Sequence, residues 1–409
     1  MKKFFAVTLG ILTAIGGFVD VGDLVASSLS GARFGLALAW VVVVGVVGIC
    51  AYAEMCGRVV AISNRPVFDL VRERLGARVS LLNLVASYLV NLLTLGAELG
   101  GVALALQLAT SVSYLLWVPV AAFVLWVVLW RVKFETLERV FGLLGLTLVI
   151  FAVAVFRLPG HGPELWHQAL SPVPTHGENW NTYGYFAISL FASAMTPYEV
   201  FFFSSGGVEE KWGPRELSEM RSNVFVGFPL GGGLALALMA VAAQVYHPLN
   251  VKLDTLGQVA LPAALAVGKL GLAIAILALF AVTFGAAMET GLSSAYVVAQ
   301  HFGWAWGKLV PPRRAARFHT VLLVSVLVGA AVLLTTINPI QLTEYMLVFS
   351  AVVLPLTYLP ILVVANDRRY LQDHVNGKLA NTVGVVYLVV IVVAAVAAVP
   401  LMIVTGAGG

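Results

Sequence analysis

Gly16-Gly17-Phe18-Val19-Asp20-Val21-Gly22-Asp23-Leu24-Val25-Ala26-Ser27 sets two carboxylates, three residues apart, inside an apolar run. An aspartate at the centre of a membrane-spanning helix costs about 2.5–3.5 kcal/mol on insertion scales, so two unpaired ones nearly cancel the apolar gain of the run. Such a pair is tolerable where it faces protein or a water-filled cavity and binds something positive. Gly22 weakens the helix between them, and unwinding there frees backbone carbonyls as further ligands. The stretch reads as half of a cation site, with Asp20 and Asp23 as ligands and the Val19 carbonyl beside them.

The rest of the chain agrees with a membrane setting. Its 409 residues are 60% hydrophobic and 11% charged, with a mean hydropathy of +0.95, whereas a soluble chain carries about 25% charged residues. Repeated apolar runs near twenty residues long make it an all-α polytopic membrane protein. A transmembrane barrel is excluded, because its strands would alternate polar and apolar residues. The net charge of +4 sits in short loops and is no nucleic-acid footprint. Cys50 and Cys56 form neither a disulfide framework nor a zinc pattern. Without a nucleophile–base constellation or metal-hydrolase spacing, no enzyme and no prosthetic group is expected. Lys2 and Lys3 begin like a signal peptide, but Asp20 and Asp23 interrupt the run and no cleavage site precedes them, so a retained first helix is expected.

Eleven apolar segments are expected: about 4–30, 35–57, 80–110, 114–131, 137–157, 182–205, 222–246, 259–300, 318–337, 339–365 and 382–404. The eighth is long enough to continue as a helix beyond the bilayer. With the N-terminus inside, all but four of the 24 Lys and Arg fall on the cytoplasmic side; Arg33, Arg157, Lys252 and Lys269 stay outside. The positive-inside rule then puts the N-terminus in the cytoplasm and the C-terminus outside. The expected setting is the plasma (inner) membrane, with lipid around a functional monomer. The polar stretch 158–181, holding His161, His167 and His176, reads as a solvated external loop.

The sixth segment echoes the first. Phe191-Ala192-Ser193-Ala194-Met195-Thr196-Pro197-Tyr198-Glu199 puts a proline and a carboxylate inside an apolar run. Pro197 has no amide hydrogen to give the Ser193 carbonyl one turn earlier. Interruptions at matching places in two five-segment halves point to an inverted-repeat secondary transporter with its site at the midplane. The halves are 1–157 and 182–365, joined by the 158–181 loop, with 382–404 as an additional eleventh helix. Glu98 and Glu289 are isolated carboxylates in the third and eighth segments, placed to line an ion or proton path; Glu199 and Tyr198 join them if the helix restarts after Pro197. Glu54 and Arg58, four residues apart, read as a structural helical pair. Two carboxylates with carbonyls and hydroxyls make a hard oxygen site suited to Mg²⁺ or Mn²⁺; a methionine sulfur would favour softer metals.

Asp20-Val21-Gly22-Asp23, with Gly31-Ala32-Arg33-Phe34-Gly35 and Trp40, resembles the first-helix region of NRAMP divalent-metal transporters. The likeness continues through Ala97-Glu98-Leu99-Gly100-Gly101, Ala192 to Tyr198, Asn366-Asp367-Arg368-Arg369 and Val375-Asn376-Gly377-Lys378-Leu379. It implies a five-plus-five inverted-repeat fold of the LeuT type in the APC superfamily, alternating access, and metal import into the cytoplasm. The departures are informative. Val21 and Asp23 replace the proline and asparagine of the family's Asp-Pro-Gly-Asn motif. Alignment on Pro197 puts Ser193, Thr196 and Tyr198 at the alanine, methionine and histidine of Ala-x-x-Met-Pro-His, with Met195 one residue off. Leu95 stands where many members have an aspartate on the family's proton route. Thr196-Pro197-Tyr198 is similar to the divergent, magnesium-transporting branch.

The expected function is therefore secondary transport of Mn²⁺ or Mg²⁺, with Fe²⁺ a third candidate. The ion would be held by Asp20 and Asp23 with Val19, Ser193, Thr196 and Met195 around it. The alternative is a cation-coupled carrier of an organic solute such as an amino acid, in which the aspartates hold the coupling ion.

Overall fold

The computed structural model describes residues 18–132, 134–159, 162–175, 177–335 and 337–407. The leading part of the expected first segment, with His161 and His176, lies outside the described residues. The helices are α1 (Val21–Phe34), α2 (Ala39–Ser63), α3 (Val67–Leu75), α4 (Ala77–Thr110), α5 (Tyr114–Arg131), α6 (Phe134–Gly145), α7 (Val149–Arg157) and α8 (Gly162–Leu170). There follow α9 (Trp180–Ala194), α10 (Pro197–Glu209), α11 (Leu217–Ser222), α12 (Phe228–Val245), α13 (Leu256–Phe302), α14 (Ala316–Leu334), α15 (Pro339–Ala365), α16 (Arg368–Leu371) and α17 (Lys378–Thr405). Ten stretches among the described residues are long and apolar enough to cross a membrane, and they match the second to eleventh expected segments. α1 is the described part of the first.

Both expected interruptions are present, and one is displaced. In the first segment Val19 and Asp20 are the non-helical residues, and Gly22 already lies in the first turn of α1. The reason is capping: Asp20 has extended backbone, and its side chain accepts from the Asp23 amide at 3.0 Å, which starts a new helix before the glycine is reached. In the sixth segment α9 ends at Ala194 and α10 starts at Pro197. Thr196 before the proline is extended (ψ 133°), and Pro197 opens α10 where its missing amide hydrogen matters least.

The eighth segment differs from the expectation of one straight helix running past the bilayer. Residues 256–302 bend at Gly268, whose φ of 69° and ψ of −150° suit glycine alone. The stretch 158–181, expected as a solvated loop, contains α8, so it is partly helical. Its Gln168 accepts from the Leu36 amide at 3.3 Å, and its Glu178 pairs with Arg33 at 2.7 Å, which straps the stretch over the far end of α1. α4 and α13 pack along much of their lengths; α1 lies against α12 and α9.

Candidate ion site

The two interruptions meet. Ser193, in the last turn of α9, donates its hydroxyl to Asp23 Oδ1 at 2.7 Å. Tyr198, in the first turn of α10, donates to Asp20 Oδ2 at 3.3 Å. Each side of one break is thus tied to the other break. Gly22 fits between them for reasons of space: a Cβ there would stand 2.9 Å from Asp20 Oδ1 and 3.1 Å from Ser193 Oγ. The glycine that reads in sequence as a helix weakener is in fact what allows the side chains to close over it.

Asp20 and Asp23 are 1% and 2% exposed, so the pair is shut off from solvent on both sides. Of their four carboxylate oxygens, three accept hydrogen bonds. The fourth, Asp23 Oδ2, is buried without a partner among the described residues. Glu98 on α4 accepts from the Val21 amide at 3.0 Å, which holds the start of α1, while its other oxygen is also unpartnered. Glu199 on α10 is buried, with Oε1 unpartnered and the Thr196 side chain beside it. Glu289 on α13 acts electrostatically on both Glu98 and Glu199. None of Asp20, Asp23, Glu98 and Glu199 has an ion pair among the described residues. Among the described Lys and Arg residues Arg58 is the only one buried as a whole, and it is committed to Glu54 and Asn376. A buried carboxylate without a counter-charge is expensive, and the arrangement is satisfied by a cation.

The donor set is hard. No three His, Cys, Asp or Glu side chains of the described residues converge as a metal cluster; the two carboxylates at the breaks have neutral oxygens, the Ser193 and Tyr198 hydroxyls, as their side-chain neighbours. Met195 lies at the second break, directly after the last residue of α9. Its sulfur packs towards Gly48 on α2, where an added Cβ would meet it at 2.7 Å beside Tyr387 of α17. Val19, Ser193 and Thr196 all lie at the two breaks.

Sequence reasoning missed two hydroxyls. Tyr358 of α15 donates to the Met195 carbonyl at 3.1 Å, which serves a backbone group freed by the break. Ser293 of α13 donates to the Tyr198 carbonyl at 3.1 Å. Neither carries a sequence signal, since a Ser or Tyr in an apolar helix usually bonds within its own helix. The expected Glu54–Arg58 pair is present at 3.1 Å and is extended by Arg221 at 2.9 Å.

Two broken helices exchanging bonds around buried, unneutralised carboxylates define a helical membrane transporter of the five-plus-five class. The family model described as natural resistance-associated macrophage protein-like, Nramp, matches residues 10–400, and the chain belongs to that family. A divalent metal cation transporter, MntH, of Aeromonas hydrophila is 26% identical over 94% of this chain and 93% of its own length. A manganese transporter of Eremococcus coleocola, crystallised with an aromatic bis-isothiourea compound, superposes with a TM-score of 0.70 at 16% identity, covering 95% of this chain and 85% of that one. A nucleobase-cation-symport-1 family transporter in a closed conformation gives a TM-score of 0.56 at 13% identity, covering 97% and 91%. The two structural likenesses carry the fold, which is the LeuT-type arrangement expected from the sequence.

Proposed function

We propose that this chain imports a hard divalent cation, Mn²⁺ or Mg²⁺ with Fe²⁺ third, into the cytoplasm by alternating access. Family membership makes divalent metal the substrate class and leaves the organic-solute alternative without support. One observation carries the finer reading: Asp23 Oδ2 is a buried carboxylate oxygen with no hydrogen bond and no counter-charge among the described residues, at the junction of both broken helices. Asp20 and Asp23 are the charged ligands. The carbonyls of Val19 and Ser193 and the hydroxyl of Thr196 complete an oxygen shell, with Met195 at the same break as its one candidate soft member. Glu98, Glu199, Glu289 and Tyr198 line the route beyond it. The ion is substrate, and the protein needs no prosthetic group.

In this reading residues 1–157 and 182–365 are the two repeats, 158–181 is the external strap and 382–404 stands outside the repeat. The protein spans the plasma membrane as a monomer, with the N-terminus cytoplasmic and the C-terminus outside. The basic end of the bundle, where Arg58, Arg65, Arg74 and Arg221 gather, is the cytoplasmic one.

The test is uptake into proteoliposomes with Mn²⁺ and Mg²⁺ offered separately and internal pH recorded. Uptake of either ion by the wild type and none by a well-folded Asp20→Ala variant is the expected result. Full uptake by that variant would remove the site assignment, and an absence of flux for both ions would remove the substrate assignment. Internal acidification during uptake would show that protons move with the ion although Leu95 and Tyr198 are neutral.

A further inference from the structure

The motif Asn366-Asp367-Arg368-Arg369 takes no part in the ion site, and its surroundings give it another use. It follows α15 at the basic end of the bundle. The connection is pinned on both flanks: the Asn376 amide donates to the Ala365 carbonyl at 3.1 Å, and Arg58 donates to Asn376 at 2.6 Å. Asp367 is fully engaged, pairing with Arg74 at 2.6 Å and accepting from the Arg369 amide at 2.9 Å. Arg368 and Arg369 are therefore left exposed, and neither guanidinium has a hydrogen-bond or ion-pair partner among the described residues. Together with Arg74, Asn366, Leu362 and Val363 they line an open cavity of about 510 Å³. Three arginines against one aspartate leave the lining with a net charge of +2.

The helix face below the cavity is apolar. Val352, Leu356 and Leu359 precede Val363 at spacings of four and three along one face of α15, and Val352 and Leu359 are 37% and 47% exposed. A basic rim at the interface thus sits above an apolar track of membrane depth. Free phosphate would use the rim alone; the track calls for a chain attached to it. We propose that this cavity binds an anionic phospholipid, with its phosphodiester on Arg368 and Arg369 and an acyl chain along Leu359 and Val352. Arginine forks match phosphate oxygens bidentately, and basic pockets at helix ends take anionic headgroups. The occupant bridges α15 to the connection that Arg58 ties to α2, so it acts on the same end of the bundle that must open for release.

The test is native mass spectrometry of the purified full chain titrated with phosphatidylglycerol, with phosphatidylcholine as the neutral comparison. Arg368→Gln/Arg369→Gln should weaken phosphatidylglycerol retention about thirtyfold, at about fivefold for each arginine near an anionic headgroup. Arg313→Gln/Arg314→Gln, the same charge change in the α13–α14 connection, should leave retention unchanged. Equal loss in both double variants would mean diffuse attraction and overturn the site, as would retention by the first. Displacement of the lipid by millimolar inorganic phosphate would make it a soluble-anion site and overturn the lipid assignment. Should the double variant fail to fold, the single variants Arg368→Gln and Arg369→Gln carry the same test, each expected to weaken retention about fivefold.

Discussion

The Ser193 hydroxyl donates to Asp23 Oδ1 at 2.7 Å, tying the last turn before one helix break to the first turn after the other. That bond orients Asp23 so that Oδ2 is the oxygen left free. A hydrogen bond to a charged group is worth about 1.5–3 kcal/mol, so its loss should be felt in ion affinity. Ser193→Ala should raise the KM for the transported ion about tenfold or more, with a smaller effect on the maximal rate, and Ser193→Thr should restore it. An unchanged KM in Ser193→Ala would mean that Asp23 is oriented by something else.

Gly22 gives a sharper steric test. Alanine there brings a Cβ to within 2.9 Å of Asp20 Oδ1 and 3.0 Å of Leu347 Cδ2, closer than real contacts allow. The helix itself would gain from alanine by about 0.5–1 kcal/mol. Overpacking a buried position costs about 1–3 kcal/mol, so Gly22→Ala should lower thermal stability slightly and cut uptake by an order of magnitude. A variant with normal uptake would show that the carboxylates need not close over this position.

Asp23 stands where the family's motif has an asparagine, and it adds a negative charge to a hard site. Asp23→Asn keeps an oxygen for Ser193 to donate to while removing that charge. Since a compact, strongly hydrated ion gives up its water only to charged oxygens, Mg²⁺ uptake should fall more than Mn²⁺ uptake. Competition uptake of the two ions in wild type and Asp23→Asn measures the change in preference directly.

Much of this was legible in the sequence because the membrane makes charge conspicuous. Asp20, Asp23, Glu98 and Glu199 stand out in apolar runs, and Pro197 announces its break by what it lacks. The site's finer features are carried by residues whose types are ordinary in helices. Gly22 reads as flexibility and serves as space, because only the folded arrangement reveals what would occupy its Cβ position. The first break moved to Val19 and Asp20 because a side-chain cap outweighs a glycine, and a cap depends on geometry that spacing alone does not supply. Met195 reads as a ligand from its neighbourhood, and the packing of its sulfur against Gly48 of α2 is visible only in the fold.

Gly268 reads as nothing in the eighth segment, yet it bends it. A Cβ there meets no atom within 4 Å, so replacement tests the backbone alone. At φ 69° and ψ −150° an alanine is strained by about 1–3 kcal/mol. Gly268→Ala should lower the Tm of the purified protein by several degrees while leaving the KM for the ion untouched, since the bend is remote from both breaks. A Tm equal to wild type would show that the bend can relax.

Lys308, in the connection between α13 and α14, offers a test in pH. Its ammonium nitrogen is buried without a hydrogen-bond partner, and burial pushes its pKa down to about 8, against the pull of the Glu209 carboxylate. The Glu209 oxygens are occupied instead by the Lys308 and Leu309 amides, at 2.7 and 3.2 Å, and by Tyr296. Because the folded value lies below the ordinary 10.5, the unfolded chain holds the proton more tightly between about pH 8 and 10.5. Stability contributed by this group therefore rises with pH across that window, and below pH 8 the charged amine opposes folding in full. Lys308→Met removes the charge and keeps the length. It should raise Tm at pH 7, and its advantage over wild type should shrink steadily from pH 8 to 10. A constant advantage across that range would show that the amine is already neutral or already solvated in the folded protein.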